Sequence, residues 1–351
     1  VFDLILSAVA MWIAAPTQLS QGPPGTIDQL PAAVVTAAGG KLVIELPPMD
    51  VPARNDMGEG MVFTPLVQVH IPVSGSLYRF SVEVVDATGT LLPHTVLHHV
   101  NLTDPGRREL FLPTSLHLIA ASKETPSIAV PRFLVGIPIR KGDRYIASGM
   151  LANDGDRPIH GARIRLVYRY LPAWVPGPLL DAYPWVMDVM FPLGREGDGR
   201  KAFDLPPGKS TWSWESSPAI PGTILGLGGH LHDYGVSLTL EDKTTGQVLW
   251  RGEPVRDSLG IVHSMPVRRF YRWNRLGVHI EPSHTYRATV EYDNTTGEVL
   301  HDGGMGAIAG LFVPDRGTEW PRVDPADSVY LKDLEISINV GTHAGHAMHG
   351  R

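Results

Sequence analysis

The 351-residue chain contains no cysteine. That absence excludes disulfides, thiolate zinc sites and cysteine nucleophiles, and leaves the compartment open. Basic character is also scarce. Thirty Lys and Arg stand against 36 Asp and Glu, for a net charge of −6 and a pI near 6.2. Phosphate backbones are held by clustered Lys and Arg, so nucleic acid is excluded as a partner. The one local basic group, Arg268, Arg269, Arg272 and Arg275, reads as solvated surface. There is no His-Glu-x-x-His and no Gly-x-Ser-x-Gly. Gly208-Lys209-Ser210 mimics the end of a phosphate-binding loop, but Phe203 occupies the position of its first glycine. No long stretch carries helical periodicity.

Glycine (37) and proline (31) are abundant and charged residues make up only 19% of the chain, as in all-β proteins with many turns. Short β-like runs appear at 41–46, 61–71, 77–86, 95–102, 145–151 and 162–170. A second series follows at 185–190, 223–232, 236–241, 247–251, 286–292, 305–313 and 329–339. The near-identical stretches Asp242–Gly246 and Asp293–Gly297 read as hairpin turns. The expected fold is all-β, with two tandem antiparallel β-sandwich (jelly-roll-like) domains at 41–171 and 185–341. The prolines of 172–184 join them, since proline donates no ladder hydrogen bond. Residues 1–24 are mostly apolar over Phe2–Pro16, a length that suits a signal remnant or a membrane anchor. Residues 25–40 form a linker and 342–351 a His-rich tail. The N-terminal segment makes a membrane protein complex the expected partner and places the globular part on a periplasmic or extracellular face.

Two histidine clusters are the most informative feature: His98-His99 and His230-x-His232. Met305 follows in a Gly-Gly-Met-Gly phrase. Imidazoles bind several first-row metals, and a thioether adds affinity for a soft ion such as Cu(I). His230 and His232 lie two apart, so on a strand both rings leave from one face. His98 and His99 are adjacent and point to opposite faces of a regular strand. They can share one ion only where the backbone bends, at a bulge or a strand end.

In this order, with intervals from 99 to 230 and from 232 to 305, the motifs resemble those of the copper type II, ascorbate-dependent monooxygenases, over roughly residues 60 to 315. The strand-like run Arg163–Leu171, the apolar connection with Trp174 and Pro176, and Asp204–Gly208 ahead of the His-x-His strand are similar too. The resemblance implies two coppers. One, with three histidines, passes electrons; the other, with two histidines and a methionine, activates dioxygen. The second set carries over onto His230, His232 and Met305 as the catalytic residues. The first carries over only onto His98 and His99, with Met150 standing where the family's third histidine would be, three residues before Asn153. His160 and His117 are the next candidates for that place. The family's substrate-clamping arginine and polar residues are replaced by Gly228 and by Ala307 or Ala309, which argues against peptidylglycine-like substrates.

The resulting expectation is a copper-dependent monooxygenase-like protein that hydroxylates a small or lipophilic C–H substrate. Its cofactors would be one or two copper ions and an ascorbate-like reductant. Two alternatives stay open: a non-catalytic copper-binding protein, and a structural or accessory subunit of a membrane assembly.

Overall fold

Alternation of period two builds most of the molecule. In the strand Tyr286–Asn294, Tyr286, Ala288, Val290, Tyr292 and Asn294 are buried while the residues between them are half-buried. A computed structural model describes residues 27–54, 60–123, 127–191, 193–194, 197, 201–271 and 276–343. The expectations for residues 1–24, for Arg272 and Arg275, and for 344–351 of the tail lie outside these described residues. The fold is nearly all β, as expected, in stacked antiparallel sheets.

Two sheets come from the first half of the chain. One runs in the order Val34–Ala38, Lys41–Glu45, Ile159–Pro172, Gly75–Val85, Val135–Ile139, Leu180–Asp181. The other runs Gly60–Phe63, Arg144–Asn153, Leu97–Arg108, Ser115–Ser122. Leu180–Asp181, within the proline-rich stretch, pairs in parallel with Val135–Ile139 and so closes the edge of the first sheet. Two more sheets follow. Tyr183–Asp188, Gly306–Pro314, Gly222–Leu231 and Arg268–Arg269 form one; Gly208–Ser216, Tyr286–Asn294, Gly235–Asp242 and Gln247–Gly252 form the other.

The apolar core is continuous from one half to the other. Its joint is the loop after Leu97–Arg108, where Leu110, Phe111 and Leu112 are buried. The Phe111 ring lies 5.2 Å from Trp185 and 6.0 Å from Tyr286, both of the second half. The loop's carbonyls are also satisfied across the joint: Ala219 N–H donates to Leu110 and Ser216 Oγ–H to Phe111. Glu109, fully buried, accepts from the His117 backbone N–H at 2.7 Å and from Val186 N–H at 3.2 Å, with His117 Nδ1 3.0 Å away. Burial works against a charge on His117, but the hydrogen bond and charge of Glu109 outweigh it and raise the imidazole's pKa.

Two local expectations are corrected. Residues 329–339, read as a strand, belong to the α-helix Ser328–His343. Its β-branched residues suggested a strand, but Asp327 caps it, its carboxylate accepting from the N–H groups of Val329 and Tyr330. Tyr330 and Leu334, four apart, then bury one helix face against Ile27, Leu66 and Ile146 of the first half. Asp242–Gly246 joins paired strands as expected, but Asp293–Gly297 does not. The Asn294 amide donates to the carbonyls of Leu205, Pro206 and Glu298, and the next strand, Leu300–Gly304, pairs with Phe203–Leu205 instead of folding back.

Two outcomes are expected. Phe111→Ala opens a cavity at the joint and should cost about 3–5 kcal/mol in urea unfolding. Asp188 is buried beside Lys201, and burial outweighs the lysine's charge and the Met190 N–H to hold its carboxyl up at about 6, against 3.8 ordinarily. The folded state therefore keeps a proton that the unfolded chain releases, and this carboxyl removes stability as pH rises from about 4 to about 6. Asp188→Asn should gain on the wild type across that window, on the order of 2–3 kcal/mol, measured by denaturation at each end of it. A constant difference between the two proteins would show that Asp188 folds ionised.

Candidate functional site

The His98-His99 pair sits on a β-bulge. Against Arg144–Asn153, Leu97 pairs with Leu151 and His99 with Met150, leaving His98 as the extra residue. The sequence demanded such a bend if both rings were to meet, and they do: the two Nδ1 atoms are 3.0 Å apart. Leu97 and Val100 point into the core, with no exposure, while His98 is exposed and His99 half-buried. Met150, directly across the ladder from His99, shares its face. Its side chain is buried, 6% exposed, yet belongs to none of the apolar clusters. Phe63, opposite Met150, places its ring edge-on to His99 at 6.4 Å.

Burial lowers the His99 pKa to about 4, helped by the charges of His98 and His230. Near neutral pH this imidazole is uncharged, the form that ligates metals. That His230 acts on His99 also locates the second cluster: the joint brings motifs remote in sequence within electrostatic reach.

On the second half, Gly222–Leu231 pairs with Gly306–Pro314 through His230 with Ala307 and Leu231 with Gly306. His232 and Met305 are the next residues on each chain, just past the paired strands. The rings of His230 and His232 lie 5.2 Å apart at 83°. One side chain ties the two segments together. The Tyr292 hydroxyl accepts from His232 N–H at 3.1 Å and Met305 N–H at 2.9 Å, and donates to the Met305 carbonyl. Next to Met305 only glycine fits, because a Cβ on Gly306 would lie 2.9 Å from that of Val290. Beside His230, Gly228 pairs with Ala309, so small residues line that part of the face.

The sequence did not mark Tyr292 as more than a strand residue. Its one signal was a tyrosine on the inward phase of an alternating strand, where a buried hydroxyl must find partners. The fallback ligands are placed elsewhere. His160 lies on Ile159–Pro172, in the other sheet, exposed and 3.4 Å from Asp50. His117 is engaged by Glu109. Among the described residues no group of three or more His, Cys, Asp and Glu is placed to hold a metal. Among the described residues Met150 and Met305 are the remaining candidate third donors.

No family model and no curated protein matches the chain. Solved structures similar to it include the major capsid protein P2 of bacteriophage PM2, at 9% identity and TM-score 0.35, covering 79% of this chain and 100% of that one. PNGase F, a glycosylasparaginase from Flavobacterium meningosepticum, is similar at 8% identity and TM-score 0.38, covering 80% and 98%. The mavirus major capsid protein is similar at 10% identity and TM-score 0.22, covering 89% and 92%. Likenesses this distant carry no functional argument. The resemblance to the copper type II monooxygenases is corrected: no family model or curated match supports it, and among the described residues no cluster of three such ligands is assembled. It rested on short motifs drawn from 15 histidines and 10 methionines, with the third histidine and the substrate clamp missing.

Tyr292→Phe removes the hydroxyl and leaves two half-buried N–H groups and one carbonyl without their partner. The expected cost is about 1–3 kcal/mol in chemical denaturation. The nuclear magnetic resonance signals of His232 and the Met305 methyl should shift and broaden while those of His98 and His99 stay in place. Equal broadening at both clusters would show that Tyr292 supports the fold as a whole instead of this corner.

Proposed function

We propose that the chain binds copper as Cu(I), with His230, His232 and Met305 as the principal site and His98, His99 and Met150 as a second. The observation that carries this reading is the Tyr292 hydroxyl, which holds the backbones of His232 and Met305 at one point beside His230. Two imidazoles and a thioether form a donor set suited to a soft ion. The neutral state of His99 and the placement of Met150 opposite it give the first pair the same character.

A bound copper would supply one-electron chemistry. The charge of His230 acts on His99, which favours a second reading in which the chain hydroxylates a small apolar C–H substrate with dioxygen, one oxygen atom entering the substrate and the other leaving as water with two electrons from an ascorbate-like reductant. The protein's part would then be the small-residue floor of Gly228, Ala307 and Ala309 beside His230. Storage or sensing of copper, or a place in a membrane assembly, needs the sites without turnover. A periplasmic or extracellular location and attachment through residues 1–24 belong to the same proposal. Among the described residues no helix is long and apolar enough to cross a membrane.

Anaerobic Cu(I) titration against a chromophoric chelator, with copper counted by plasma emission, tests the proposal. The wild type should take up two ions per chain. His232→Ala should lose one of them with an unchanged circular dichroism spectrum, and Met150→Leu should weaken the other. Copper content that is indifferent to His232→Ala would sink the assignment. Oxygen uptake that depends on both ascorbate and copper then separates turnover from binding alone.

A further inference from the structure

Large apolar side chains are concentrated at one edge of the first sandwich. Trp174 is 85% exposed, Leu179 81% and Phe133 54%. Exposed apolar groups standing together mark contact surfaces, unlike single ones. Phe133 and Leu179 stand together through their backbones: Leu179 N–H donates to the Phe133 carbonyl, and Leu180 N–H to Leu134. Ser74 fastens the rest, accepting from Ala173 N–H at its carbonyl and from Lys141 N–H at its hydroxyl.

The segments that carry them are braced. Pro172, Pro176 and Pro178 restrict the Trp174 loop, and Pro178 packs against Gly136, whose Cβ would lie 2.9 Å from the proline ring. A loop already fixed in shape loses little entropy when it docks.

Charge selects the partner. Residues 127–134 and 172–180 contain no carboxylate, although the chain as a whole carries 36 and is net negative. The exposed cations bordering the apolar tips are Arg132, Arg140 and Lys141, the Arg132 guanidinium lying 4.6 Å from the Phe133 ring centroid. Asp181, at the margin, lies in the field of Arg140. Trp and Phe at the tips with Arg and Lys behind them match the interfacial layer of a bilayer. Amphipathic rings settle at headgroup depth and basic side chains meet anionic lipid.

We infer that this edge, Phe133, Trp174 and Leu179 with Arg132 and Lys141, docks on an anionic phospholipid surface. The contact is peripheral and does not involve residues 1–24. It is also independent of the copper reading.

Co-sedimentation of the purified chain with phosphatidylcholine vesicles, with and without phosphatidylserine, tests it. Binding should require phosphatidylserine and weaken as salt rises. Trp174→Ser with Leu179→Ser should lower the partition coefficient by about tenfold or more, from the apolar area withdrawn. Arg132→Ser with Lys141→Ser should abolish the preference for phosphatidylserine. All four positions are exposed, so the variants should keep the wild-type circular dichroism and melting behaviour. Brominated lipid should quench wild-type tryptophan emission more than that of Trp174→Phe. No binding to either vesicle, or binding untouched by Trp174→Ser with Leu179→Ser, overturns the inference. Self-association in light scattering that the same double variant abolishes, without any vesicle binding, would assign the edge to a second copy of the chain and overturn it equally.

Discussion

The buried carboxylate of Glu109 is the constraint on which the arrangement depends. A fully buried carboxylate is costly unless its oxygens are satisfied, and here they accept from His117 on the first half and Val186 on the second. Satisfying it ties the two halves together at this point. Phe111 then fills the space between Trp185 and Tyr286, and the apolar core runs on through the joint. Because the chain has no disulfide to hold this geometry, shape and hydrogen bonding must do so. The segment after the last strand adds to them: Trp320 Nε1–H donates to the Arg108 carbonyl and, from the helix Ser328–His343, the Tyr330 hydroxyl donates to that of Pro105, both on the first half.

The two candidate sites are held by different means. His98 and His99 are placed by ladder register: the bulge turns both rings to one side, and the pairing of His99 with Met150 follows from the backbone alone. His232 and Met305 lie just past the ends of their paired strands and are held by a side chain, the Tyr292 hydroxyl, that serves both backbones. The first arrangement persists as long as the sheet does. The second depends on one oxygen atom.

Much of this was legible in the sequence where period two was strong and turns were explicit. The all-β class, the alternation of Tyr286–Asn294, the shared face of His230 and His232, and the need for a bend at His98-His99 all follow from residue spacing. What was not legible depended on contacts between distant segments. The strands Ser115–Ser122 and Gly208–Ser216 lack long β-branched runs and become strands through their neighbours. The helix Ser328–His343 was hidden by its Val and Ile content until Asp327 was seen to cap it. The family resemblance failed for a related reason. Motif order is a property of the sequence, but a ligand set is a property of three-dimensional convergence, and neither His160 nor His117 reaches the first pair.

The same distinction decides what the histidines can do. Burial lowers the His99 pKa, and the charges of His98 and His230 lower it further. A purely structural solution would replace such a cluster with apolar side chains, as the chain does elsewhere along the same sheets with Val100 and Leu231. Instead the bulge brings the Nδ1 atoms of the two rings to 3.0 Å, and Met150, paired across the ladder from His99, is buried outside any apolar cluster. Two imidazole Nδ1 atoms meeting at 3.0 Å, with the Met150 thioether paired across the ladder from His99, are a donor set that suits the proposed soft cation.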